Sequence, residues 1–533
     1  MAVDSTLAVL VAVALLTGLF LTSRWAKNDK SPKPLKLPII GDLHSSPIDR
    51  PMLNWDAWTR AQGPVGTPKL FGIMPFVVLN TAEAATELFG KRSALYSNRP
   101  SSVSMEMITD SAPGKSRMTL MHDYDAHLKL HHRMLSPSLG AVAAPRVQPL
   151  MELESRQLLR DAVNAVQGSG RTVMSSTELY TLLERTQASV ILGLHYGIRV
   201  PSHSDPLFTE ILRVQHKVTY VAANPSLVDF IPPLRHLPAV ISPWHRAANK
   251  LFVEQRDLYL RLVETAMNEP GWNATKQARA IAAKSPDTEA VPDLDLAFTL
   301  ATSISGGMET SPRQTLWLLV AAHANPGFVA KAHAALDQSV GRDRLPQFTD
   351  RSNLVYIEAI VSEMIRWRPI APGSIPRRAD REDEIFGTPI AKGATLFANA
   401  WAIGRDEKVF DESLGGLDSF VPERWLDEEG KLRTDLPLAG FGHGRRSCLG
   451  KRVALDNTFM IVASLLWAFE VAPVGQVDSM AMEVAGFMTA PSEFKFSLKP
   501  RGKWVQEVIQ REWDVSETDL SKLMGPWVDV ETS

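Results

Sequence analysis

The chain has 533 residues and a formal charge of −2, with 45% hydrophobic and 22% charged residues, a balance that excludes a disordered or collagen-like polypeptide and gives no global reason to expect nucleic-acid binding. One cysteine, Cys448, excludes an intramolecular disulfide and any multi-cysteine zinc site. Thirty-six prolines point to many loops between elements.

Ser5 to Ser23 reads STLAVLVAVALLTGLFLTS and carries no charge. As a helix it reaches roughly 28 Å, about the thickness of a bilayer core. Only Asp4 precedes it, whereas Arg24, Lys27, Lys30, Lys33 and Lys36 follow. A cleavable signal carries its positive charge on the other side. The positive-inside bias puts the N-terminus in a lumen and the rest of the chain in the cytosol. Residues 1–23 are therefore read as a lumenal N-terminus and transmembrane anchor. Residues 24–38, with Pro32, Pro34 and Pro38, form a basic, stiff hinge. The body spans 39–500, and 501–533 is a C-terminal extension.

Within the body, helical periodicity dominates. PFVVLN (75–80) predicts a short strand, and MELESRQLLRDAVNAV (151–166) an amphipathic helix. The sequon at Asn273 is expected to stay unmodified on a cytosolic face. In 304–315, ISGGMETSPRQT interrupts an otherwise apolar helical run. Each glycine there costs about 1 kcal/mol relative to alanine, and Pro312 cannot donate to the Met308 carbonyl, so the helix opens. Either a plain break between two helices or a functional groove satisfies that pattern. YIEAIVSEMIRW (356–367) predicts a helix with Glu363 and Arg366 three apart on one face. Taken alone such a pair is usually a solvated surface bridge worth under about 1 kcal/mol; the apolar flanks here point instead to a buried pair, which needs a further partner, and Arg424 in FVPERW is the candidate. WVQEVIQREW, in the extension, predicts one more amphipathic helix.

Cys448 lies in FGHGRRSCLG, residues 441–450. An inert thiol, a nucleophile and a single thiolate ligand to a metal are the three readings left open. A thiolate needs positive surroundings and donors. Arg445 and Arg446 precede the sulfur, and Gly442, Gly444 and Gly450 permit a tight turn with N–H groups aimed inward. The run after Gly450 continues as a helix, whose positive end lies near the sulfur. A nucleophile would need a base; His443 is near in sequence, but spacing alone does not bring it within reach.

Phe441, Gly444, Arg446, Cys448 and Gly450 fit F-x-x-G-x-R-x-C-x-G, which resembles the haem-binding loop of the cytochrome P-450 family. The resemblance covers about residues 32–500 and is closest in feel to microsomal members from filamentous fungi. It implies a mainly α fold with minor β-sheets, a single large domain behind one transmembrane helix. Cys448 is implied as the axial thiolate of haem b, and Arg446 as a partner of a haem propionate. Glu363, Arg366 and Arg424 match the family's structural triad. Glu309 and Thr310, in Gly-Gly-x-Glu-Thr-Ser, match the acid–alcohol pair that delivers protons to dioxygen. Arg377 stands where a propionate-binding arginine is common. In HLKLHHRMLSPSL (127–139), Leu128 and His132 replace the usual tryptophan and arginine, leaving His132 or Arg133 to meet a propionate.

The implied activity inserts one oxygen atom from O2 into a lipophilic small molecule, as in fungal secondary metabolism. With no flavin or nicotinamide fingerprint evident, the implied electron source is NADPH through NADPH–cytochrome P-450 reductase, docking beside Lys451 and Arg452. The implied location is the endoplasmic reticulum membrane, single-pass and facing the cytosol. Three other classes compete: a haem-thiolate isomerase or dehydratase, which would not need Glu309 and Thr310; a cysteine hydrolase; and a non-catalytic haem sensor or membrane scaffold.

Overall fold

The structure, a computed structural model, describes residues 56–57, 59–70, 74–167, 172–284 and 291–528. The expected anchor and hinge lie outside the described residues. Among the described residues no helix is long and apolar enough to cross a membrane.

Helices make up most of the fold, and their ends follow local chemistry. Asp125 caps Ala126–Leu139 by accepting from the Leu128 N–H. Ser175 and Glu178 form a reciprocal capping box on Ser176–Tyr196, which ends at left-handed Gly197. Asp205 and Pro206 start Pro206–Ala223. Asn273 caps Ala274–Ala283 and donates to the Ala266 carbonyl at 2.8 Å. It is fully buried, so the sequon is inaccessible in the folded chain.

The helix expected over 151–166 runs Ala144–Gln167, because Val147 and Leu150 ahead of it are also core residues. Long Pro243–Asn268 packs against Asp293–Gly307, which is buried on most sides from Leu296 to Ala301. Met308 and Glu309 interrupt the helical path, and Thr310–Ala324 resumes it. Val355–Trp367 and Lys451–Ala468 share one apolar core with that second segment.

The sheets are small. Met74–Leu79, one residue offset from the expected strand, pairs in parallel with Thr395–Ala398, Phe76 lying opposite Thr395. Val65–Gly66, Lys69–Leu70 and Arg377–Arg378 complete five strands. Lys495–Pro500 lies between Val173–Ser175 and Phe469–Val474 in a second sheet. Met482–Ala485 and Met488–Pro491 form a hairpin, as do Asp383–Ile385 and Thr388–Ile390.

Residues 501–528 pack onto the same body. Helix Trp504–Asp514 buries Val505, Val508 and Ile509. Trp504 meets Trp467 edge-on with ring centroids 4.7 Å apart, and Arg160 covers the Trp513 ring at 4.0 Å.

Candidate active site

Cys448 sits at the end of a short, tightly turned loop. Its N–H donates to the Phe441 carbonyl at 2.8 Å, closing the loop on itself. Gly442 and Gly444 adopt φ of +72° and +54°, and a Cβ on Gly444 would lie 1.9 Å from the Phe89 carbonyl oxygen. Only glycine fits there. Upstream, a Cβ on Gly440 would stand 3.0 Å from Ile365, so helix Val355–Trp367 presses directly on the strand of chain that enters the loop.

Cys448 is exposed as a residue, yet its sulfur is largely surrounded by protein, as on the wall of a recess. Burial pushes its pKa up, against the opposing pull of the Gly450 N–H and of Lys451. The expected arginine support for the thiolate differs in the structure. Arg446 donates instead to the carbonyls of Ser97 at 2.7 Å, Thr119 at 3.3 Å and His122. Arg445 lies 5.5 Å from the Tyr124 ring. An ionised sulfur here therefore calls for a cation of its own. Among the described residues no group of three histidine, cysteine or acidic side chains is arranged to hold a metal, and no hydrogen bond joins a histidine to the sulfur. His443 is held down to about 4 by burial and by Arg377, and its buried Nε2 has no partner.

Cations gather beside this recess. Arg377, placed by its short strand against Leu396, stacks over the Phe89 ring at 4.0 Å and donates to the His443 carbonyl. Burial and the charge of Arg446 lower it to about 9, and its buried Nη1 is unpaired. Burial lowers Arg446 to about 10. Arg99, fully enclosed, is pushed well down by burial and then by Arg446 and Arg377. His132 is half-buried and held near 4 by burial, Arg446 and Arg99, whereas Arg133 on the same helix is exposed. Guanidiniums that raise one another's energy in low dielectric need anions. The donor set fits haem: one thiol for iron, a glycine-built cradle, and buried cations for two propionates.

Glu363 anchors the frame behind the loop. Both of its oxygens accept from Arg366, at 2.6 and 2.7 Å, and neither side chain is exposed (0%/0%). Arg366 also donates to the carbonyls of Gly404, Leu417 and Ser419. Arg424 stands 3.8 Å from Glu363, an ion pair without a hydrogen bond; its own donors go to the carbonyls of Asp411, Gly415 and Gly416. The remaining hydrogen bonds to Glu363 come from the Val421 N–H at 2.8 Å and the Trp425 indole at 3.0 Å.

The broken helix supplies the polar pair. The Thr310 hydroxyl donates to the Gly306 carbonyl at 2.7 Å, and Glu309 is buried at 5% exposure. The two glycines do different things: a Cβ on Gly306 would meet open space, while one on Gly307 would lie 2.7 Å from Ile191. Thr119 joins this helix to the cysteine loop, its N–H donating to Thr302 Oγ1 at 3.3 Å and its carbonyl accepting from Arg446.

Two members of this constellation escaped the sequence reading. Arg99, in YSNRP, donates to the carbonyls of Leu120, Ile375 and Pro376, at 2.9, 2.9 and 2.6 Å, tying three segments around the recess. Trp425, next to Arg424, is the closer partner of Glu363. The only signal for either was its place inside a conspicuous short motif.

Comparison with known proteins agrees with this geometry. The family described as cytochrome P-450 matches residues 32–498. The cytochrome P-450 monooxygenase criE of Aspergillus cristatus is 31% identical over 517 residues, 95% of this chain and 91% of the relative. The monooxygenase aneD of Aspergillus aculeatus is 30% identical over 532 residues, 98% of each chain. The monooxygenase astF of Aspergillus oryzae is 29% identical over 520 residues, 96% of this chain and 94% of the relative. A lone cysteine in a glycine cradle, buried cations beside it, an anchored Glu363 frame and matches of this length together make the chain a member of the cytochrome P-450 family of oxidoreductases.

Proposed function

We propose that this protein is a haem-thiolate monooxygenase that inserts one atom of O2 into a lipophilic small molecule, in fungal secondary metabolism. Electrons come from NADPH through a separate reductase. The observation that carries the reading is the single cysteine beside the mutually repelling Arg99, Arg377 and Arg446. Haem b, when bound, supplies electron transfer and dioxygen activation, and a thiolate donor favours O–O cleavage.

The chain's own residues have distinct duties. Cys448 would hold the iron, and the Gly450 N–H favours the charged form of its sulfur. Arg446 and Arg377 would neutralise the propionates, which would relieve the repulsion described above, and the neutral His132 would donate a hydrogen bond to one of them. Glu363, Arg366 and Arg424, with Trp425, keep the segment 404–425 fixed behind the loop. Glu309 and Thr310 move protons, Thr310 from a hydroxyl held at the opened turn of its helix. An isomerase or dehydratase needs no such proton carriers, so this pair favours the monooxygenase.

Anchoring through residues 5–23 to the endoplasmic reticulum, catalytic body in the cytosol, belongs to the same proposal. The uncharged stretch and the basic residues after it support it. The exposed Lys451 and Arg452 form part of the docking face for the reductase. The experiment that tests the core reading is the reduced, carbon-monoxide-treated spectrum of purified protein, wild type and Cys448→Ser. A strongly red-shifted Soret band that the serine variant lacks is expected. A colourless wild-type protein after growth with ample haem precursor refutes the reading. Feeding candidate precursors to a host that expresses the protein with a reductase then identifies the substrate.

A further inference from the structure

Position 443 is one that the pattern F-x-x-G-x-R-x-C-x-G leaves free, and this chain places a histidine there. The loop fixes its backbone. His443 is extended, at φ −134° and ψ 151°, between left-handed Gly442 and Gly444. Its carbonyl accepts from Arg377 Nη2, and the glycine after it is pressed against the Phe89 carbonyl. Phe89 also carries the Arg377 guanidinium on its ring face. Histidine, arginine and phenylalanine are therefore locked together, although they come from the cysteine loop, a short strand and a distant helical turn.

Two nitrogens in this cluster are buried without a partner, His443 Nε2 and Arg377 Nη1. Burial and the Arg377 charge keep the His443 ring neutral. A neutral imidazole carries one N–H and one bare nitrogen. Native folds leave few buried donors unmet, and orphans on two bonded neighbours point to one shared acceptor.

The other cations of the recess are engaged differently. Arg446 spends Nε, Nη1 and Nη2 on the carbonyls of Ser97, Thr119 and His122. Arg99 spends Nε and Nη1 on those of Leu120, Ile375 and Pro376. His132 feels the charges of Arg446 and Arg99, whereas His443 feels that of Arg377. The basic side chains thus form two groups, His132 with Arg446 and Arg99, and His443 with Arg377. Haem b carries two propionates, one for each group.

We propose that His443, as its Nε2–H tautomer, donates to the haem propionate that Arg377 neutralises, so that Arg377 Nη1 and His443 Nε2 grip one carboxylate together. The inference rests on the reading of the recess as a haem site. No bond is made or broken and no proton changes hands: a cation and a neutral donor meet one anion. A second guanidinium at position 443 would repel Arg377 in this low dielectric, whereas a neutral ring adds a directed hydrogen bond without that cost.

Haem-loaded wild type, His443→Phe and His443→Gln are compared in two measurements that need neither substrate nor reductase. The propionate bending band in resonance Raman spectra reports hydrogen bonding to the carboxylates. It should shift in His443→Phe, which keeps a flat ring without a donor, and return towards wild type in His443→Gln, whose amide N–H can replace Nε2–H. Haem transfer to excess apomyoglobin should run about tenfold faster from His443→Phe than from wild type, the factor that one hydrogen bond to a charged group is worth. From His443→Gln it should stay within about threefold of wild type. A band or a transfer rate unchanged in His443→Phe overturns the bond. So does an equal change in both variants, because the shape of the ring and not its N–H would then matter. A phenylalanine variant recovered without haem, beside a glutamine variant that loads it, supports the bond; failure of both to load overturns it. Wild-type protein without haem refutes the underlying reading instead, a result separate from any contrast among the three proteins.

Discussion

Replacing Glu363 with alanine removes at one stroke the acceptor for two hydrogen bonds from Arg366 at 2.6 and 2.7 Å, one from Val421 N–H at 2.8 Å and one from the Trp425 indole at 3.0 Å. Arg366 and Glu363 are both shut off from solvent at 0% exposure, so the stranded guanidinium cannot turn to water. Breaking a buried ion pair from one side costs about 3–5 kcal/mol, and each orphaned neutral donor adds about 1–3 kcal/mol. Arg366 keeps its carbonyl partners at Gly404, Leu417 and Ser419, which holds the ionic part near the lower end. The sum is roughly 5–9 kcal/mol, comparable to the whole stability of a typical domain at about 5–15 kcal/mol. Glu363→Ala should therefore accumulate little folded protein and retain almost no haem. Glu363→Gln, which keeps one acceptor and the side-chain shape, should fall between. Haem per polypeptide, from the reduced carbon-monoxide spectrum, and the urea midpoint give the two readouts. Full haem content with an unchanged midpoint in the alanine variant would refute the reasoning. Arg424→Ala provides the internal contrast. Its contact with Glu363 is 3.8 Å and its hydrogen bonds go to carbonyls, so its effect should be smaller, at about 1–3 kcal/mol.

Gly444→Ala should abolish haem binding, because the new Cβ would sit 1.9 Å from the Phe89 carbonyl oxygen; a variant with a normal spectrum contradicts the cradle. Thr310→Ala should raise hydrogen peroxide released per NADPH in the presence of reductase, and an unchanged ratio argues against a role in proton delivery. Stability should fall on acidification. Burial holds His131 near 3 and His195 near 4, below the ordinary value of 6.5. Unfolding therefore takes up protons as pH drops from about 6.5 towards those values, and each histidine removes about 1.4 kcal/mol of stability per pH unit in that window. His195→Phe should remove one such increment of slope between pH 6 and pH 5, measured by urea unfolding, since neither ring nitrogen of His195 has a partner to lose. An unchanged slope would show that His195 does not titrate as placed.

The sequence alone determined what short-range chemistry controls. Glycines at 442 and 444, Pro312 below the Met308 carbonyl, and the apolar periodicity of 356–367 each act over a few residues. The loop around Cys448, the helix break and the Glu363–Arg366 helix were legible for that reason. What the tertiary structure decided is where each charge finds its partner. Arg446 spends its donors on carbonyls, one of them Ser97, 349 residues away in the chain. Arg99 ties the recess together, Trp425 stands closer to Glu363 than Arg424 does, and Thr219 meets Glu309 across two helices. A buried polar group must be satisfied by whatever folding brings beside it, and local pattern does not encode contacts between segments so far apart.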